Sequence, residues 1–239
     1  MPEGLDTVVP QEFTQRVDEQ HITIPAGVLK RGDNSRQMGE DLKQGLAALT
    51  QGTHLRPAAL GLLASLGMPT VKVYRRLKVA YFSTGDEILS LGEPLREGAV
   101  YDSNRYTVFG LLTRMGCEVI DMGVVRDDPA LLEAAFSRAA QQANAIITSG
   151  GVSVGEADFT KAMMKKLGDV AFWKIAMRPG RPMAVGRIGK SVLFGLPGNP
   201  VAVMVTFLAF VRPALLRMMG STAQAAPLLR AKCLEPLRK

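Results

Sequence analysis

From about residue 77 onward the chain alternates short apolar runs with helical stretches, and nearly every junction carries glycine, proline or a capping residue. No other feature restricts the possible folds as much. Val79-Ala80-Tyr81-Phe82 reads as a buried strand, and Tyr106 to Met115 as a helix stopped by Gly116. Glu118 to Met122 reads as a strand, and Asp128-Pro129 as a cap with proline at the first helical position. The helix to about Gln142 leads into Ala145-Ile146-Ile147-Thr148. A helix from Phe159, strands near 170–175 and 182–195, and a long helix from Pro200 follow. Such alternation predicts an α/β domain over 76–220, with a mostly parallel sheet between two helical layers.

Residues 1–75 differ in texture and predict an incomplete, smaller α+β or β-rich domain with a linker. Thr7-Val8-Val9 and His21-Ile22-Thr23-Ile24 look like strands. Asp33-Asn34-Ser35 offers caps for a helix whose Met38, Leu42, Leu46 and Leu49 share one face, with Gly52 after its end. A second helix has Pro57 in its first turn, runs from Ala58 to Leu66, and stops at Gly67. The most apolar stretch, Val201 to Met219, contains Arg212, Pro213 and Arg217, and reads as a helix buried against the sheet, not a membrane span.

Two cysteines, Cys117 and Cys233, cannot build a disulfide scaffold or a four-ligand zinc site, and they suit a reducing compartment. No basic region followed by an apolar core opens the chain, so a cytoplasmic protein is expected. The 29 Lys and Arg against 22 Asp and Glu favour anionic partners. They lack the aromatic interleaving of nucleic-acid stacking surfaces, so small oxyanions are preferred over nucleic acid.

Ligands of open α/β sheets bind at the carboxyl ends of strands, and three loops there are rich in chemistry. They are Ser83-Thr84-Gly85-Asp86-Glu87, the stretch 148–158, and Gly195-Leu196-Pro197-Gly198-Asn199-Pro200. Glycines let backbone N–H groups converge on an anion, and the following helix start adds partial positive charge. Thr148, Ser149 and Ser153 can donate hydroxyl hydrogen bonds to phosphate oxygens. One such loop is ordinarily a tight turn; three on one edge predict an anion site. It is not a Walker loop, because Glu156 stands where lysine is required. Carboxylates lie beside the loops: Asp86 and Glu87, Asp127 and Asp128, Glu156 and Asp158. With phosphate and water, one or two of them suffice for Mg²⁺. Asp128 also reads as a plain helix cap and Glu156 as plain surface. Lys174, Arg178 and Arg181 fall within nine residues, around a Pro179-Gly180 turn ending at Pro182. Arginine forks suit tetrahedral oxyanions. The two histidines, His21 and His54, lie away from these loops, so neither a serine–histidine triad nor a His-based zinc centre is suggested.

Taken in order, GDNSRQMGEDL (32–42), STGDEI (83–88), YDSNRY (101–106), TSGGVSVGEADFTK (148–161), AMRPGRP (176–182) and GLPGNPVAV (195–203) resemble the molybdopterin molybdenumtransferases, the MoeA family to which the gephyrin E-domain is similar. The resemblance implies the molybdopterin-binding fold. It also implies insertion of molybdate into adenylylated molybdopterin, with release of AMP and dependence on Mg²⁺. Arg178, Arg181 and Pro182 match molybdate-holding positions. Thr84, Gly85, Ser103, Asn104, Ser149, Gly150, Gly151, Ser153, Pro197, Gly198 and Asn199 would hold the pterin phosphate and nucleotide. Glu87 and Asp158 match acidic positions tied to metal and catalysis, Asp127 joins them as a metal ligand, and Lys174 matches a functional lysine. Family sites lie at a homodimer interface, so Asp41 would serve the partner subunit's site. Contact with the molybdopterin adenylyltransferase is implied as well. Arginine at 178 and 181, where many relatives have lysine, keeps the charge and changes its geometry. The resemblance further implies an N-terminal stretch outside this chain and a β-rich C-terminal domain, of which 221–239 would be the start. The rival readings are a molybdopterin adenylyltransferase and a non-catalytic scaffold of the same family.

Overall fold

The computed structural model describes residues 1–151, 159–222, 227 and 229–235. They form two compact units, Met1–Thr50 and Gln51–Lys239. Compactness thus divides the chain at 50/51, where the sequence reading drew its boundary at 75. The reason lies in segment 51–76. Thr222 N–H donates to the Gly52 carbonyl (3.3 Å), and the Tyr74 ring lies against Gly220, leaving no room there for a Cβ.

The first unit contains a 3₁₀ turn, Gln11–Phe13, and a small antiparallel hairpin of β1 (Gln15–Arg16) and β2 (Ile22–Thr23). Asp18 closes the hairpin, its carboxylate accepting from the Gln20 and His21 amides at 2.8 Å. Thr7-Val8-Val9 is not a strand. It is tied to 32–34 instead, through Gly32 N–H to Thr7 Oγ1 (3.0 Å) and Asn34 Nδ2 to the Val8 carbonyl (2.9 Å). The helix expected after Asp33 does not form, and Met38, Leu42 and Leu46 are exposed. Gly39 (φ 79°) and Gly45 (φ 84°) fall inside its span in the left-handed region, which no α-helix accommodates.

The second unit opens with α1 (Pro57–Ser65), begun by proline and followed by Gly67 at φ 68°. Its centre is a six-stranded sheet of β3 (Lys78–Thr84), β6 (Glu118–Val125), β7 (Ala145–Ser149), β8 (Gly168–Lys174), β9 (Pro182–Ile188) and β10 (Ser191–Leu196). The order is β6-β3-β7-β10-β9-β8. β6, β3, β7 and β10 run parallel; β9 and β8 close one edge as antiparallel neighbours. The run 182–195 is therefore two strands, split by a turn at Gly189 (φ 57°). A short parallel pair, β4 (Ile88–Leu89) and β5 (Val100–Tyr101), stands beyond the end of β3.

The sheet centre is apolar on both faces, as parallel sheets require. One face of β3 and β7 packs on α2 (Ser103–Arg114) and on α5 (Pro200–Thr206), which continues through a π turn, Phe207–Val211, into α6 (Arg212–Met218). Val203, Phe207, Val211 and Leu215 line the inner side of this long helix and are fully buried, so the apolar stretch packs as the sequence predicts. The π turn precedes Pro213, which has no N–H for a helical hydrogen bond. The other face packs on α3 (Pro129–Gln142) and α4 (Phe159–Leu167). There Phe82 and Phe136 meet edge to face with ring centroids 5.0 Å apart.

Phe136→Ala removes one of the largest fully buried side chains from this second layer. The expected loss is about 3–5 kcal/mol of unfolding free energy. Urea titration should show a lower midpoint with an unchanged slope.

Candidate functional site

Parallel pairing brings the carboxyl ends of β6, β3, β7 and β10 to one edge of the sheet. The β8–β9 pair adds its connecting turn there, because Lys174 pairs with Pro182 and Ala184 with Gly195. Topology alone thus gathers 83–87, 125–128, 148–151, 174–182 and 195–200 along that edge. Helix α2, which follows β3, lies on one face, and α4, which follows β7, lies on the other. The crevice between β3 and β7 is therefore a switch point, where open α/β sheets bind ligands.

Close backbone approach shapes this crevice. A Cβ on Gly150 (φ 90°) would stand 2.3 Å from the Thr84 carbonyl, and one on Gly151 (φ 62°) 2.5 Å from Thr160. Both positions need glycine on conformation and on space. Gly150 N–H donates to the Leu196 carbonyl at 3.2 Å, so the three predicted loops share backbone contacts. Ser149 is buried, and its hydroxyl points inward to Tyr81 and Ser83. Thr84 and Gly85 are buried, with the Glu87 carboxylate folded over Gly85.

Asp102 caps α2 by accepting from Arg105 N–H (3.1 Å), which places Ser103 and Asn104 in the first turn. Ser103 is exposed, and Asn104 is buried with its Nδ2 donating to the Gly198 carbonyl at 2.7 Å. That bond joins the starts of α2 and α5. Pro197 is buried, Gly198 is exposed, and Asn199 caps α5 by accepting from Ala202 N–H at 3.1 Å. Two helix starts of this kind add their partial positive charge to the edge.

The edge is polar in sign along its length. At the β6–β3 end stand Asp86, Glu87 and Asp127, with Asp127 N–H donating to Asp86 Oδ1 at 3.3 Å. Burial, then the Asp86 and Glu87 charges, push the Asp127 pKa up from its ordinary value. Asp127 Oδ1 is buried without a partner. Among the described residues no three His, Cys, Asp or Glu side chains converge tightly enough to hold a metal ion by themselves. Any cation here takes one or two protein carboxylates and completes its shell with phosphate and water. At the β8–β9 end Lys174, Arg178 and Arg181 are exposed, and no ion pair engages them among the described residues. Local bonding and packing shape their turn. Arg178–Pro179 is cis, Ile175 N–H donates to the Arg181 carbonyl (2.7 Å), and Gly180 (φ 97°) packs against Met177 and Thr206. Pro182, half-buried, begins β9.

The predicted residues sort plainly. Thr84, Gly85, Glu87, Asp127, Ser149, Gly150, Gly151, Lys174, Arg178, Arg181, Pro182, Pro197, Gly198 and Asn199 all belong to the carboxyl-edge segments, and Ser103 and Asn104 open α2, which Asn104 ties to Gly198. Ser153 and Asp158 lie outside the described residues. Asp41 belongs to the first unit, where it is ion-paired with Arg36. Asp128 is the cap of α3, accepting from the Ala130 and Leu131 amides at 2.9 Å. Sequence reasoning missed Tyr81, whose spacing from Ser83 puts both on one side of a strand, and Asp102 as the cap of α2.

Residues 80–217 match the family model described as "Probable molybdopterin binding domain", and residues 1–67 match the MoeA N-terminal region (domain I and II). The chain is 48% identical over 227 residues to a molybdopterin molybdenumtransferase of Haemophilus influenzae, covering 95% of this chain and 56% of that protein. Its identity to the molybdopterin molybdenumtransferase of Nostoc sp. is 39% over 224 residues, covering 92% and 51%. A crystal structure of a molybdopterin biosynthesis MoeA protein from Pyrococcus horikosii superposes with a TM-score of 0.68 at 35% identity, covering 91% of this chain and 54% of that one. The chain spans about half the length of these relatives.

The acidic pole makes a pH prediction. Folded Asp127 holds its proton to a higher pH than the unfolded chain, whose value is near 3.8. Its stabilising contribution is present below that value and lost as pH rises through the folded pKa. Asp127→Asn, permanently neutral, should melt above the wild type at about pH 7 in EDTA, with the gap closing near about pH 3. Melting curves at the two pH values decide it; a variant that melts lower at neutral pH would contradict the electrostatic account.

Proposed function

Because the chain belongs to the molybdopterin-binding-domain family, joined to a MoeA N-terminal region, we propose that it inserts molybdate into adenylylated molybdopterin with release of AMP. One observation carries this reading: a single sheet edge presents a cluster of carboxylates, glycine-rich loops and a basic turn, in that order. The poles stand three to five strand spacings apart, roughly 14–24 Å. An extended ligand with phosphates at one end and an oxyanion partner at the other fits that arrangement.

In this reading the loops at 83–85, 148–151 and 195–199 bind and orient the phosphates through backbone N–H groups and the starts of α2 and α5. Arg178 and Arg181 grip molybdate by charge-assisted hydrogen bonds, and Pro182 fixes the exit of their turn. Lys174 places a further cation beside them. Mg²⁺ fits the acidic pole, where the buried, unpartnered Asp127 Oδ1 lies near the charges of Asp86 and Glu87. Glu87 and Asp127, with Asp158, would hold it, and it would supply charge neutralisation at the phosphoanhydride.

A homodimer, with Asp41 reaching the partner's site, belongs to the same proposal. Its support is the outward apolar face of two packed helices, Tyr106 and Phe109 of α2 with Val201 and Met204 of α5. Receipt of the adenylylated pterin from the adenylyltransferase is the partner contact this activity requires.

Arg178→Ala should weaken molybdate binding by about tenfold or more, the effect of losing a charge-assisted hydrogen bond. AMP binding in the presence of Mg²⁺ should stay within about twofold, since the phosphate loops are untouched. Isothermal titration with each anion tests the role, and equal loss of both would remove Arg178 from it.

A further inference from the structure

Three hydroxyl groups meet inside the protein at the base of the β3–β7 crevice. Tyr81 Oη stands 2.8 Å from Ser83 Oγ and 2.7 Å from Ser149 Oγ, and the two serine oxygens are 3.2 Å apart. Strand geometry accounts for the meeting. Tyr81 and Ser83, two residues apart on β3, share a face, and Ser83 is the register partner of Ser149 on β7. All three side chains are at least 98% buried. The tyrosine ring sits in the apolar layer beneath α2 and α5, and only its hydroxyl reaches the two serines.

We propose that Tyr81 is a positioning residue for the anion site, its hydroxyl clamping Ser83 to Ser149 and so fixing the loops that leave β3 and β7. The proposal rests on reading this edge as an anion site. Its logic follows from where the clamp lies. Ser83 and Ser149 are the last residues before Thr84-Gly85 and Gly150-Gly151, and beyond them the two strands send their connections to opposite faces. No β-ladder continues past that point to hold the backbones together. What joins them there is Thr84 Oγ1 donating to the Ser149 carbonyl at 3.4 Å, together with the hydroxyl triangle.

The chemistry suits a clamp. A phenol is a better donor and a poorer acceptor than an aliphatic hydroxyl, so the Tyr81 proton goes to a serine oxygen. Burial pushes the phenol pKa well above its ordinary value, so that proton is retained across the working pH range. A ring of three hydroxyls satisfies every donor internally, and in a site shut off from water such bonds reinforce one another. Phenylalanine at 81 would preserve the packed ring and leave the two serines with each other alone, at 3.2 Å.

The test compares wild type, Tyr81→Phe, Ser149→Ala and the double variant, each full-length and confirmed folded by circular dichroism. Amide hydrogen exchange is followed at Gly85 and Gly150, whose N–H groups are bonded to the Val125 and Leu196 carbonyls, and at Leu132 in α3 as a distant reference. Tyr81→Phe should speed exchange at Gly85 and Gly150 by roughly tenfold relative to Leu132, the equivalent of one lost buried hydrogen bond. The double variant should add little to Ser149→Ala. Titration of AMP with Mg²⁺ should show a dissociation constant raised by roughly tenfold in Tyr81→Phe, again without additivity. Unchanged exchange at the two glycines overturns the proposal. So does equal acceleration at Leu132, which marks a general loss of stability, and so does full additivity with Ser149→Ala. If wild-type protein fails to bind AMP, the anion-site reading falls while the exchange data still decide whether the clamp exists.

Discussion

The parallel pairing of β3 with β7 is the constraint on which the rest of the second unit depends. Both strands are buried on both faces, so their backbone hydrogen bonds form in the driest part of the protein and their side chains anchor both helical layers. Asn144 pins the amino end of the pair: its N–H donates to the Lys78 carbonyl and its Oδ1 accepts from Lys78 N–H, at 2.8 and 2.9 Å. At the carboxyl end the chain parts to opposite faces, and the crevice that opens is narrow. Gly150 lies so close to the Thr84 carbonyl that no other residue type fits. Site and core are two ends of one structural decision.

Charge is arranged along this edge, not scattered over it. Asp86, Glu87 and Asp127 cluster where β3 and β6 end, with Arg96 and Arg126 beside them, while Lys174, Arg178 and Arg181 sit on the antiparallel addition at the far side. Such a layout costs stability in isolation, as the raised Asp127 pKa records: burial first, then the charges of Asp86 and Glu87, disfavour the carboxylate. The basic turn at 174–182, by contrast, is held by backbone bonds and packing, and its arginines have no ion pair among the described residues.

Most of the α/β unit could be read from sequence because its signals were local and redundant. Apolar runs buried on both faces announced β3 and β7, and Asp128-Pro129 and Gly116 marked helix ends through backbone chemistry that does not depend on the rest of the fold. The failures are equally physical. Met38, Leu42 and Leu46 carry a helical period, but Gly39 and Gly45 interrupt it. The run 182–195 hid a hairpin because apolar content continues through both strands, and only Gly189-Lys190 marks the reversal. The shared edge of the three glycine-rich loops was legible because each follows a strand that runs in the same direction. Tyr81 was not, because an aromatic in a buried strand looks like core until its hydroxyl finds partners on another strand.

Hydrogen-bond satisfaction gives the edge a signature independent of motif. Among the described residues, buried side-chain oxygens without a partner occur on Asp102, Asn104, Asp127, Thr148 and Thr160. Asp102 caps α2 and Asn104 lies in its first turn, Asp127 follows β6, Thr148 is the penultimate residue of β7, and Thr160 lies in the first turn of α4 beneath Gly151. All five lie near the carboxyl edge, and none lies at the amino ends of the strands. An unmet buried polar group costs about 1–3 kcal/mol, and apolar residues of similar shape would remove that cost. Elsewhere the fold meets the rule: Ser191, equally buried, donates to the Ala140 and Ala143 carbonyls at the end of α3. Among the described residues, these unpartnered oxygens gather beside the edge on which the proposed anion site rests.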